Sequence, residues 1–218
     1  MLELLMVAGL GWLCFHFSFI REDEFAAVSR NVGDRFGKLW DIAHTSMRES
    51  RFLRAEKALL TILKIDEKNA AAYNRLGILY AKQKEYRDAI DCFEIASSIE
   101  STPSSLHNLG LIYYETENFE KAAVAFEHSL KLEDTLAARH VAYAKVVEKL
   151  GNDKLMFQEL EKAAELEPNR ETFTLLYKAY ENRGMEMEAD LMADKLKKLI
   201  TTSSTKRRRI LRPKRVVI

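Results

Sequence analysis

The sequence predicts an all-α protein, a right-handed superhelical solenoid of about five helical hairpins, and three observations carry that reading. Between Ala70 and Leu136 one pattern is written twice, 33 residues apart. Leu76-Gly77 matches Leu109-Gly110, Tyr80 matches Tyr113, Tyr86 matches Phe119, Ala89 matches Ala122 and Phe93 matches Phe126. Both halves of each copy carry apolar residues at helical spacing, split by polar turns at Lys84-Glu85 and Glu117-Asn118. Small residues recur where two helices of a hairpin would cross, since a larger side chain there would hold the backbones apart. A hairpin of this kind cannot bury its apolar face alone, so neighbours must stack.

The register extends in both directions. A unit over 137–169 places Ala144, Gly151, Ala163 and Pro168 at equivalent points, and one over 170–203 does the same with Tyr180, Gly184 and Ala189. Backwards, 36–69 aligns Ala43 and Ala55, which gives five units: 36–69, 70–102, 103–136, 137–169 and 170–203. Departures gather at the ends of the array, as in capping repeats: Met156 replaces a small residue, Tyr177 stands where one belongs, and so does Leu196. The period, with a small residue at position 8, an aromatic at 11, alanine at 20 and an aromatic at 24, resembles the tetratricopeptide repeat (TPR) family. That resemblance implies a concave groove lined by the first helix of each unit, with the second helices outside.

Before the array, Leu4–Ile20 is an apolar run whose only ionisable side chain is His16. Seventeen helical residues span roughly 25 Å, near the lower limit for a bilayer core of about 30 Å. Residues 1–20 are therefore expected to form a transmembrane anchor rather than a cleaved signal peptide, because Glu3 and no Lys or Arg precedes the run and no small-residue cleavage site follows it. Arg21, Arg30, Arg35 and Lys38 follow it, so the repeats are expected to face the cytoplasm in a single-pass arrangement. Residues 21–35 form a connector, with a short helix expected to break near Gly33.

Function in such an array depends on the groove. Counting helical positions brings forward Asn74, Ile78, His107, Leu111, Tyr114, Val141 and Lys145, with Asn108 adjacent. The asparagines and His107 can hydrogen-bond an extended peptide, while Ile78, Leu111 and Tyr114 can hold an apolar side chain. TPRs that clamp a C-terminal carboxylate use convergent Lys, Arg and Asn; here the corresponding positions are Asn74, Ile78, Asn108, Ala138 and Ala142, and only Asn108 matches. The expected partner is thus another protein or peptide segment held without that clamp.

Beyond the array the chain reads TTSST and then KRRRILRPKRVVI. Lys206, Arg207, Arg208, Arg209, Arg212, Lys214 and Arg215 make seven cations, so the net charge of +1 conceals a body of about −6. Residues 204–218 are expected to be a basic disordered tail able to meet anionic lipid, nucleic acid or an acidic protein surface, its own repeats included. Ile210, Leu211 and Val216-Val217-Ile218 add aliphatics that a purely solvating tail would not need.

No chemistry is written into the helices. His44, His107, His128 and His140 form no H-x-x-x-H, no glycine-rich phosphate loop occurs, and no G-x-S-x-G elbow is present. Cys14 and Cys92 make no C-x-x-C pair, so no metal, cofactor or disulfide is expected, and no enzyme. An apolar N-terminal run before a TPR array resembles the layout of N-terminally anchored bacterial TPR proteins such as lipopolysaccharide assembly protein B, although the paired C-x-x-C motifs of its rubredoxin-like module are not in this sequence. Taken together these features predict a membrane-tethered adaptor or scaffold binding a protein in its groove. The alternative is a binder of nucleic acid or anionic lipid driven by the basic tail, with the repeats serving self-association.

Overall fold

The structure, a computed structural model, describes residues 33–210, with side chains through residue 199. The anchor expected over 1–20 and most of the connector lie outside the described residues, as do Arg212, Lys214 and Arg215. Among the described residues no helix is long and apolar enough to cross a membrane. Every regular element described is helical: α1 (33–48), α2 (Phe52–Ile65), α3 (Ala70–Gln83), α4 (Tyr86–Ile99), α5 (Pro103–Glu115), α6 (Phe119–Leu132), α7 (Ala137–Lys149), α8 (Asp153–Leu166), α9 (Arg170–Glu181) and α10 (Glu186–Ile210). They follow one another as five pairs.

Each pair is joined by the same turn. Ser50, Lys84, Glu117, Gly151 and Gly184 all have φ between 58° and 75°, and each occupies the fifteenth position of its unit. The residue after each donates its N–H five residues back: Arg51 to Ser46, Glu85 to Tyr80, Asn118 to Tyr113, Asn152 to Val147 and Met185 to Tyr180. This is the Schellman ending, in which a left-handed residue lets the chain cap the helix it has just left. Only two of the five positions are glycine, so Ser50, Lys84 and Glu117 hold an unfavourable backbone conformation that the repeat geometry enforces.

The chain divides into two compact units, Met1–Leu79 and Tyr80–Ile218, the division falling inside α3. In the described part of the first, the buried side chains are Ala43, Ser46, Met47, Ala55, Ala58, Leu59, Ile62, Ala72, Leu76 and Leu79. Gly33 and Gly37 are both helical, and the residues before Gly33, where the connector's break is expected, lie outside the described residues. In the second unit each helix from α4 onward packs on the next in chain order. Caps set their starts: Thr102 and Ser105 form a capping box ahead of Pro103, Asn169 and Thr172 do so for α9, and Asn118 and Asn152 cap α6 and α8.

The repeated small and aromatic positions of the second unit form its core. Phe93, Ala89, Ala96, Phe126, Ala122, Ala144, Met156 and Ala163 are almost completely buried. Gly110 shows why a small residue is needed: a Cβ there would lie 2.9 Å from Cζ of Phe126, whose ring has no exposed surface. Neighbouring hairpins are also tied by a recurring polar bond. The Tyr113 hydroxyl donates to Glu94 across α5 and α4, and the Tyr180 hydroxyl to Glu161 at 2.6 Å across α9 and α8. At the equivalent point of α7 stands Val147, and Glu127 on α6 pairs instead with Lys131 at 2.7 Å. Phe157 stacks on Tyr180 at 4.7 Å, and Arg183 closes the α9–α10 turn through Asp153 at 2.6 Å and Glu148 at 3.2 Å.

Helix α10 differs from the sequence reading. Residues 204–210, assigned above to a disordered tail, continue the helix to Ile210. No glycine or proline interrupts the segment before Pro213, and lysine, arginine and leucine are good helix formers.

Candidate functional site

First helices of the second unit supply a cleft of about 340 Å³. Along α5 its wall is His107, Leu111, Tyr114 and Glu115; along α7 it is Ala137, Ala138, Val141, Ala142 and Lys145; Phe126 of α6 closes the floor. The α8–α9 connection and the start of α9 add Glu167, Asn169, Glu171 and Thr172. Five of the eight groove residues expected from the sequence, His107, Leu111, Tyr114, Val141 and Lys145, are thus brought together. Asn108, on α5, is half-buried and does not line the cleft, and Asn74 and Ile78 belong to the first unit. Where a carboxylate clamp would place cations, Ala138 and Ala142 present methyl groups to the cleft.

The apolar floor is held by its own packing. The His107 ring meets the edge of Phe126 at 5.3 Å, and Tyr114 meets Phe119 at 5.6 Å, both T-shaped. Leu111 keeps 38% of its surface exposed, so an aliphatic side chain waits at the mouth of the cleft. At the rim, Thr172 donates its hydroxyl to the Glu167 carbonyl at 2.7 Å, and Asn169 caps α9 by accepting the Thr172 N–H at 3.0 Å. These two polar residues are engaged in starting α9. Glu167 and Glu171 remain as acidic groups on that side, with Glu115 at the far end of α5 and Lys145 as the cation of the lining.

His107 carries an electrostatic signature. Its Nδ1 is buried and has no hydrogen-bond partner. Burial, and secondarily the Arg139 guanidinium, hold its pKa below the ordinary histidine value. The unfolded chain therefore binds a proton more readily than the folded one, so stability is full above the ordinary value of about 6.5 and falls as pH drops through it. Melting at pH 7.5 and at pH 5.5 should show a larger acid loss in the native chain than in His107→Phe, which keeps the ring contact and cannot titrate. An equal loss in both would place the acid sensitivity elsewhere.

His140 is buried, with Nδ1 2.7 Å from the Glu159 carboxylate and Nε2 2.9 Å from the Asp134 carbonyl. Among the described residues no group of three potential ligands is found. Cys92 is a free, half-buried thiol pushed up to about 11 by burial and by Asp88 and Asp91, which leaves it almost wholly protonated at neutral pH.

Sequence reasoning missed the acidic rim. Glu171 stands at position 2 of its unit, the same groove position as Ala138, so carrying the count into the last unit would have found it. Glu167 and Asn169 sit in a connection that no helical period places.

Comparison with known proteins places this geometry. The tetratricopeptide repeat model matches residues 70–102 and again 103–136. No curated protein matches the sequence. Among solved structures, the MamA protein superposes with a TM-score of 0.67 at 19% identity, over 85% of this chain and 98% of that one. MamA 41-end from Desulfovibrio magneticus RS-1 gives 0.68 at 13% identity, over 79% and 97%. YrrB, described as a TPR protein with an unusual peptide-binding site, gives 0.61 at 19% identity, over 71% and 80%. At these identities the likeness is one of fold. Residues 70–136 are two consecutive tetratricopeptide repeats, within a chain whose helix pairs share the fold of TPR proteins.

Proposed function

We propose that this chain is a non-catalytic adaptor or scaffold that binds a segment of another protein in the cleft between α5, α7 and α9. The observation that carries the reading is the cleft itself: an open 340 Å³ concavity with an apolar floor and a charged rim, lined by the first helices of successive hairpins. An extended peptide would lay an aliphatic side chain against Leu111, Val141 and Ala142 and place a basic neighbour at Glu167 or Glu171. The TPR fold, and the peptide-binding site described for YrrB, support the same class of function.

Leu111→Arg should abolish peptide capture, with affinity down at least about tenfold, while the melting temperature stays near that of the native chain, because Leu111 is exposed. The check is panning of the full chain against a peptide library, followed by titration of the best binder. Unchanged affinity in both Leu111→Arg and Val141→Arg would remove the cleft as the site.

The reading includes tethering. The apolar run Leu4–Ile20, with basic residues following it and none before, supports a single-pass anchor that leaves the repeats facing the cytoplasm. Confinement to a surface would raise the effective concentration of a bound partner near other membrane proteins. Fractionation of the full chain and of a chain starting at Arg21 tests it: the full chain should resist alkaline extraction from membranes and the shortened one should not.

A further inference from the structure

The cleft is acidic at its rim, and the chain carries its own complement. Three glutamates, Glu115, Glu167 and Glu171, face one lysine, Lys145, in the lining. Among the described residues none of the three glutamates takes part in an ion pair. Between them lie the aliphatic and methyl surfaces of Leu111, Ala138, Val141 and Ala142. The segment Leu211-Arg212-Pro213-Lys214-Arg215-Val216-Val217 pairs three cations with three aliphatics and contains no acid. We propose that the cleft accepts this segment from a second copy of the chain. The inference rests on the cleft being a peptide site, as argued above, and names its occupant.

Reach decides between a second copy and the same one. α10 runs back along α9, with the Lys195 ammonium 5.3 Å over the Phe173 ring, which fixes the register of the pair close to Glu171. From Lys195 to Ile210 the helix advances about 22 Å beyond that level. The five residues from Ile210 to Arg215 can extend at most about 18 Å. Even with the length of both side chains added, Arg212 cannot return to Glu171 of its own chain while α10 is intact, so the whole segment cannot enter its own cleft. In a second copy no such limit applies.

The contact is heterologous: the tail of one copy meets the cleft of the next, whose own tail stays available. Such contacts propagate until a ring closes or a partner peptide takes a cleft. Attraction between a segment of three cations and a rim of three anions also makes the assembly weaken with salt.

The test is a charge swap in the full chain, followed by sedimentation in a mild detergent that keeps residues 4–20 from associating. The native chain should grow in mass with concentration. Arg212→Glu/Lys214→Glu/Arg215→Glu should weaken that growth at least about tenfold. Glu115→Lys/Glu171→Lys should do the same while its melting temperature stays near that of the native chain, since both glutamates are exposed. Joining the two sets in one chain should restore association. Association untouched by either set, or lost in both and not restored by joining them, overturns the proposal. So does binding of the tail to phosphatidylserine vesicles or duplex DNA in a chain that does not self-associate. If Leu111→Arg abolishes capture of library peptides while no variant changes self-association, the cleft reading stands and the second-copy occupant falls. If Leu111→Arg and Val141→Arg both leave peptide capture unchanged, both fall.

Discussion

Replacing Phe126 with alanine is expected to lower stability by about 4 kcal/mol. The ring has no exposed surface, fills the space left by Gly110 and takes the edge of His107, so truncation opens a cavity that three elements border. The same ring closes the floor of the cleft, so the change should also weaken peptide capture at temperatures where the chain is still folded. Denaturant unfolding followed by circular dichroism measures the first effect, and titration of a captured peptide the second. A loss below about 1 kcal/mol would mean that neighbouring side chains collapse into the space.

Gly110→Leu approaches the same contact from the other side and should cost about 3 kcal/mol. A Cβ alone would stand 2.9 Å from the Phe126 ring, and the longer side chain leaves that ring nowhere to go. Gly110 lies inside a helix, where leucine gains up to about 1 kcal/mol in propensity over glycine, so the measured cost is the steric term less that gain. A neutral or stabilising result would show that α5 and α6 can separate there without loss.

Both predictions concern positions already prominent in the sequence, and the reason is physical. A crossing of two helices demands a small residue and an opposing aromatic, and a repeat writes that demand at a fixed spacing. Gly110 and Phe126 are visible for this reason. The hairpin turns are visible as polar breaks, yet Lys84 and Glu117 give no sign that their backbones are left-handed, because side-chain type there is set by exposure. Groove positions are visible on α5 and α7, where period alone decides which side chains face one way. The acidic rim is less so, since Glu167 is held by the start of α9 and the Thr172 hydroxyl rather than by a helical repeat. Asn108, expected as a neighbour of His107 rather than from the count, sits outside the lining because the two lie about 100° apart around the helix.

The five identical turns have a consequence for how this chain tolerates change in length. One residue added inside a helix rotates every following side chain of that helix by about 100°, which takes crossing residues and groove residues out of line together. One residue added beside Lys84 or Glu117 falls in a turn, where the error stays local. Whole periods are a third case, because they return every left-handed residue to its place. Insertions and deletions in genes of this kind should therefore survive at two scales only, the single turn and the complete unit, and be purged at every size between.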